Sequence, residues 1–195
     1  MIVKVGGSVA NALVSIVDFL KDKKVLIVPG GWIFADLVRT LKVSEEAAHW
    51  MAVMAMNQYG YYIAEKGLET IEPEDFNFKW EKTCVLLPYK LLRKYDELPH
   101  SWKVTSDSIS AWIAYRLGEK MAVKLCAVDG IYLDGKILRK VKASELREIK
   151  TDVVDEYLSE LLSSLRINYL VCNFDGLKNY ILRREVVGTL IVGGE

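Results

Sequence analysis

The sequence predicts an α/β chain, a three-layer αβα sandwich around a mostly parallel central sheet. Two observations lead there. Short, continuous apolar runs recur along the chain (IVKV, KVLIVP, TCVLLP, MAVKLCAV, NYLVCNF and TLIVGG), as strands buried on both faces require. Between several of them lie segments with apolar residues at helical spacing, such as NALVSIVDFLKDK and DEYLSELLSSL. Strands that alternate with helix-length connections pair in parallel, because a parallel crossover needs a connection of that size.

Taken in order, IVKV is the first strand, and Gly6-Gly7-Ser8 ends it before the helix in NALVSIVDFLKDK. KVLIVPGG is a second strand closing on Pro29-Gly30-Gly31, and IFADLVRTLK is a helix. SEEAAHWMAVMAMNQYGYYIAEK reads as a long, unusually apolar helix capped by Ser44. EPEDFNFKWEK is irregular, TCVLLP a short buried strand and YKLLRKYDEL a helix or turn. SDSISAWIAYRLG is a helix that starts at Ser106 or Asp107 and stops at Gly118. MAVKLCAV is a strand, and IYLDGKILRKV a hairpin around Asp134-Gly135. ASELREI and DEYLSELLSSL are helices, NYLVCNF a strand, GLKNYILRR a helix and GTLIVGG the last strand.

Composition narrows the function. The 195 residues are 51% apolar and 27% charged with a formal net charge of zero, which suits one domain spanning 1–195 with a real core. Nucleic acid is not an expected partner, since phosphate-backbone binders carry a clustered basic excess. No run approaches the roughly 18 apolar residues of a membrane span, and the N-terminus reads as a strand rather than a signal segment. Cys84, Cys126 and Cys172 are odd in number, widely spaced and set in apolar runs. They read as buried free thiols in a reducing cytoplasm, without a metal-ligand spacing.

In open α/β sheets, ligands bind beyond the carboxyl ends of the strands, on loops that lead into helices. Three such loops carry chemistry here. The first places Lys4 just upstream of Gly6, Gly7 and Ser8. Glycines let backbone approach a ligand, a helix start supplies unpaired N–H groups, and a lysine adds a point charge, which together describe a phosphate site. The second loop ends in Gly30 and Gly31, again directly before a helix. The third is VTSDSISAW, with Ser106 and Asp107 at a helix start. Each has a plainer reading: tight turns for the glycines, a helix cap for Asp107, a snorkelling side chain for Lys4. Of the two histidines, His49 reads as a core or interface residue and His100, close to Asp107 in sequence, as the functional candidate. GxxxxGK[ST], GxGxxG, HExxH and GxSxG are all absent.

The order VKVGGSV, IVPGGWIFADLVR, a long apolar helix, VTSDSISAWIA and AVDGIYLDGK resembles the amino acid kinase superfamily, which includes acetylglutamate, aspartate, uridylate, carbamate and isopentenyl phosphate kinases. LPHSWKVTSDSISAWIAYRLG with VDGIY looks most like the archaeal (aminomethylfuranyl)methyl phosphate kinase branch of methanofuran biosynthesis. The resemblance implies the carbamate-kinase-like sandwich, with 1–100 as an acceptor lobe and 101–195 as a nucleotide lobe. It also implies ATP and Mg²⁺, and a small-molecule acceptor, here a phosphate monoester taken to the diphosphate. Lys4 and Asp107 would be catalytic. Gly6, Gly7, Ser8, Asp129, Gly130 and Tyr132 would bind ATP. Gly30, Gly31, His100 and Ser106 would bind the acceptor.

The chain also departs from the family's pattern. Trp32 stands where a third glycine is usual, and Cys126-Ala127 where Thr-Asp is common. The downstream Gly-Met-Lys motif that brings a second lysine is not visible in KTDVVDEYLSEL, leaving Lys103, Lys136 and Lys140 as substitutes. The alternatives are therefore another small-acceptor kinase of the superfamily, or a silent nucleotide-binding scaffold on the same fold. Surplus apolar residues on the long helix predict a homodimer or larger oligomer with Trp50 and Tyr59 near the contact.

Overall fold

The computed structural model describes residues 1–194. The chain runs β1 (Ile2–Val5), α1 (Leu13–Leu20), β2 (Leu26–Pro29), α2 (Trp32–Arg39), α3 (Glu45–Ala64), β3 (Glu69–Ile71), β4 (Cys84–Leu86) and α4 (Tyr89–Tyr95). It continues through α5 (Ser106–Arg116), β5 (Met121–Leu125), β6 (Tyr132–Leu133), β7 (Lys136–Ile137), β8 (Lys140–Lys142) and α6 (Ala143–Leu146). α7 (Leu158–Leu165), β9 (Asn168–Cys172), α8 (Phe174–Arg183) and β10 (Thr189–Val192) complete it. The predicted αβα sandwich is what forms.

Among the described residues, eight strands make one sheet in the order β3-β4-β2-β1-β5-β9-β10-β8. Every neighbouring pair is parallel except β9 and β10. β1 lies between β2 and β5, and all four of its residues are buried. Alternation divides its side chains between two cores. Ile2 packs with Trp112, Ile113, Leu158 and Leu162 of α5 and α7, while Val3 and Val5 pack with Leu13, Ile16, Val17 and Leu177 of α1 and α8. A period of two therefore aims Lys4 at the α5 face, together with Ile2. The three cysteines are free and buried.

Two local departures from the expected elements have clear causes. Gly7–Ala12 form a 3-10 helix, so the first α-helix begins at Leu13, beyond the glycine loop. The acidic stretch after α3 is preceded by a short edge strand, β3, too brief and too polar to stand out in the sequence. The hairpin around Asp134-Gly135 forms as expected, outside the main sheet. Its two turn residues both have positive φ, +49° and +76°, the geometry that makes Asp-Gly a favoured two-residue turn.

Helix α3 starts at the predicted cap, with Ser44 Oγ accepting from the Ala47 N–H at 3.2 Å. The expectation that Tyr59 lies near a subunit contact is overturned. Tyr59 is fully buried within the chain, where its hydroxyl donates to the Gly6 carbonyl at 3.2 Å and its ring packs against Trp32. Much of the helix's apolar surplus thus serves the chain's own core, and Met54, Tyr61 and Tyr62 remain exposed.

Candidate active site

The carboxyl ends of β1, β2 and β5 meet the start of α5, and there the chain buries three charges in contact. Lys4 and Lys124 are register partners on adjacent parallel strands, so both side chains rise on the α5 side of the sheet. Between them stands Asp107 in the first turn of α5. Its Oδ1 lies 2.8 Å from Lys4 Nζ and its Oδ2 2.7 Å from Lys124 Nζ. The Lys4 and Asp107 side chains are only 7% and 5% exposed. Lys124 Nζ also donates to the Val153 carbonyl.

Electrostatics follow from this geometry. Burial lowers the pKa of Lys4, opposed by the Asp107 charge. Burial alone would raise the Asp107 carboxyl, but the Lys4 and Lys124 cations outweigh it and hold the group below its ordinary value. Two lysines and one carboxylate leave a net charge of +1, facing a cleft. A buried charge of this kind is costly unless it is paired, and an incoming anion supplies the missing partner.

Asp107 is free for that role because other groups cap its helix. The N-cap is Thr105, whose hydroxyl accepts from the Asp107 N–H at 3.4 Å. Asp155 reinforces the helix start from nearly fifty residues away. Its carboxylate accepts from the N–H and hydroxyl of Thr105, the N–H and hydroxyl of Ser108, and the N–H of Leu158, all within 2.6–2.9 Å. Burial, followed by the Asp107 charge, raises the pKa of Asp155.

The glycine loops close around the same point. Gly6 N–H donates to Leu125 O at 3.1 Å and Gly30 N–H to Val5 O at 2.9 Å, extending the sheet bonding into both loops. Ser8 Oγ accepts from the Ala127 N–H at 3.1 Å. Gly7 has no room for a side chain, since a Cβ there would fall 2.6 Å from Trp32 Cδ1. Trp32 itself has φ +46°, a left-handed conformation that glycine adopts freely and tryptophan rarely does. Such strain costs on the order of 1–3 kcal/mol. Aromatic packing offsets it: the Trp32 ring lies tilted against Tyr59 at 5.1 Å and Tyr62 at 4.9 Å.

A cleft of about 510 Å³ opens over these loops. Lys4, Gly7, Ser8, Gly30, Gly31, Ser106 and Asp107 line it, as do Lys124 and Trp32. Asp129, Gly130 and Tyr132 stand apart from it. Gly130 and Tyr132 line an open depression with Lys150–Val153, and the Tyr132 hydroxyl donates to Asp129 Oδ1 at 2.8 Å.

The structure brings His49, not His100, to the cleft. His100 lies behind it, the two rings stacked 4.2 Å apart. Partial burial would lower the His100 pKa, but its contacts with Glu46 (2.5 Å) and Asp96 (2.6 Å) outweigh that and raise it. Burial, then the neighbouring His100 charge, lowers His49 to about 4.

The amino acid kinase family model matches residues 1–167. The chain belongs to this family. It is 33% identical to [5-(aminomethyl)furan-3-yl]methyl phosphate kinase of Methanocaldococcus jannaschii over 189 residues, 88% of this chain and 87% of that protein. In fold it is similar to the UMP kinase of Bacillus anthracis (TM-score 0.69, 19% identity, 98% of this chain and 95% of that one). It is likewise similar to the uridylate kinase of Archaeoglobus fulgidus (TM-score 0.67, 16% identity, 98% and 99%). The chain is accordingly an amino acid kinase family phosphotransferase.

In this amino acid kinase, the second lysine at the cleft is none of the three substitutes that the sequence offers. Lys103 points away to Glu156 at 3.2 Å, with its side chain 70% exposed. Lys136 and Lys140 lie exposed on β7 and β8. None of these three lines the cleft; Lys124, from a central strand, does. MAVKLCAV carries the same signal as IVKV, a lysine inside an apolar strand, but not the register that sets Lys124 beside Lys4.

Proposed function

We propose that this chain transfers the γ-phosphoryl group of ATP to a phosphate monoester, giving the diphosphate, with an (aminomethylfuranyl)methyl phosphate as acceptor. The observation that carries the reading is the buried Lys4–Asp107–Lys124 group at the head of the cleft. An oxygen of the acceptor phosphate forms its bond to the γ-phosphorus as the bond to the ADP oxygen breaks. Negative charge crowds the transferring group throughout, so two lysines fixed by one carboxylate stabilise it without covalent chemistry.

Roles then divide mainly by lobe, residues 1–100 serving the acceptor and 101–195 the nucleotide, with the Gly6–Ser8 loop and Ser106 reaching across to the other lobe's substrate. Gly6, Gly7 and Ser8 hold the ATP phosphates, while Asp129, Gly130 and Tyr132 border the nucleoside. Gly30, Gly31 and Ser106 seat the acceptor, with His100 acting through His49. Among the described residues no cluster of three or more His, Cys, Asp or Glu side chains forms a metal cage. In this reading Mg²⁺ would be carried on the nucleotide phosphates, where it would neutralise their charge.

ATP turnover against a panel of phosphate monoesters, carboxylates and UMP tests the reading. The aminomethylfuran phosphate is expected to give the highest kcat/KM. A preference for UMP or a carboxylate would mark another kinase of the family, and no turnover with any acceptor would mark a scaffold.

We also propose that the protein is a cytoplasmic homodimer joined through the exposed Met54, Tyr61 and Tyr62 of α3. Among the described residues no helix is long and apolar enough to cross a membrane. Sedimentation at micromolar concentration is expected to give about twice the 22.1 kDa chain mass. A clean monomer contradicts it.

A further inference from the structure

The cleft is charged at both ends, with opposite sign. At the sheet edge, Lys4, Lys124 and Asp107 leave +1. The other end is walled by the later turns of α2 and the first turns of α3, which bring Asp36, Arg39, Glu45 and His49. Asp36 stands about 6 Å along α2 from its first residue, at 1.5 Å rise per residue, so it lies away from the glycine loop. Asp36 and Glu45 have no ion-pair partner among the described residues. The Arg39 guanidinium is engaged on the Trp102 ring, 4.0 Å from its centroid. Two carboxylates against one guanidinium leave −1.

A second, independent feature lies at this end. His49 is 8% exposed, lines the cleft and makes no hydrogen bond among the described residues. His100 stacks on its face and Trp50 meets it edge-to-face at 4.8 Å, and neither contact is a hydrogen bond to its nitrogens. Because its pKa is lowered to about 4, the imidazole is uncharged at neutral pH and offers one lone pair and one N–H. Its ring nitrogens make no hydrogen bond to the described residues yet are not sealed from solvent, so a donor in the cleft can reach them. Trp32 and Trp102 line the cleft between the two ends and present flat apolar surface.

We infer that Glu45, Asp36 and His49 form the subsite that holds the protonated amine of the acceptor. The inference rests on the proposed kinase reading and deepens it. It assigns selection among phosphate monoesters to the α2–α3 end of the cleft. These residues do not touch the transferring phosphoryl group, so they are specificity residues rather than catalytic ones.

The test compares the aminomethylfuran phosphate with its analogue bearing a methyl in place of the aminomethyl group, alongside a titration with furfurylamine followed by His49 ring resonances. In the wild type the amine-bearing acceptor is expected to be preferred in kcat/KM by at least about tenfold, mainly through KM. Asp36 and Glu45 are both exposed, so the Asp36→Asn/Glu45→Gln variant keeps the fold. In that variant the preference is expected to fall to within about threefold, and furfurylamine no longer shifts the His49 resonances. An unaltered preference, or furfurylamine that leaves His49 unshifted in the wild type, overturns the subsite. Should the wild type phosphorylate neither compound, the kinase reading fails, and the furfurylamine titration still decides the subsite.

Discussion

Lys4→Ala and Lys124→Met are each expected to lower kcat roughly a hundred- to thousandfold, about 3–4 kcal/mol of barrier, with the fold retained. The size of the loss follows from where the charges sit. A preorganised cation in a dry site stabilises developing charge far more than the same cation in water. Both lysines are held in place by Asp107, at 2.8 and 2.7 Å, before any substrate arrives. Removing one leaves the carboxylate paired with the other, so neither variant strands an isolated buried charge. Lys124→Met keeps a side chain of similar length on β5 and removes only the cation. Steady-state kinetics with saturating ATP and acceptor, read beside thermal melts, separates the catalytic loss from any loss of stability. Activity within threefold of wild type in Lys124→Met would assign that lysine to packing rather than to transfer.

Asp107→Asn is expected to have a comparable effect by another route. The amide preserves the size and leaves the Thr105 cap and the Asp155 clamp untouched, so α5 still starts at Ser106. The two lysines, however, lose the anion that sets their positions and are left as adjacent like charges in a buried setting. That favours loss of a proton from one of them. The expected outcome is a fall in kcat of at least about a hundredfold, together with a pH–rate profile whose basic limb moves to lower pH as one lysine deprotonates. Retained activity in Asp107→Asn, with only stability lost in Asp107→Ala, would return the residue to a structural role.

Much of this site is written locally. IVKV followed by Gly-Gly-Ser marks a charge at the end of a buried strand, and Asp107 sits in the one helix start flanked by serines and threonine. What local pattern does not carry is register. Lys124 matters because β5 pairs with β1 so that Lys4 faces Lys124, and no spacing within MAVKLCAV states that pairing. Asp155 is the same kind of case, an unremarkable acid in KTDVVDEYLSEL that becomes the clamp of a helix whose first residue is 49 positions earlier. His49 reads from its apolar surroundings as a core or interface residue, and it is buried within the chain. Only the crossing of α2 with α3 turns its edge toward the cleft. Trp32 illustrates the converse. Its side chain departs from the family pattern, while its backbone at φ +46° keeps the conformation suited to the missing glycine.

The most direct test of the central claim is ³¹P NMR of the purified protein with Mg-ATP and the aminomethylfuran phosphate, run in parallel with Lys4→Ala. The account predicts that the monoester resonance is replaced by the coupled pair of a diphosphate as ATP becomes ADP in equal amount, and that the Lys4→Ala sample leaves the monoester and ATP resonances in place. ATP consumed to ADP and inorganic phosphate with the monoester unchanged, or diphosphate formed equally by both samples, would contradict it.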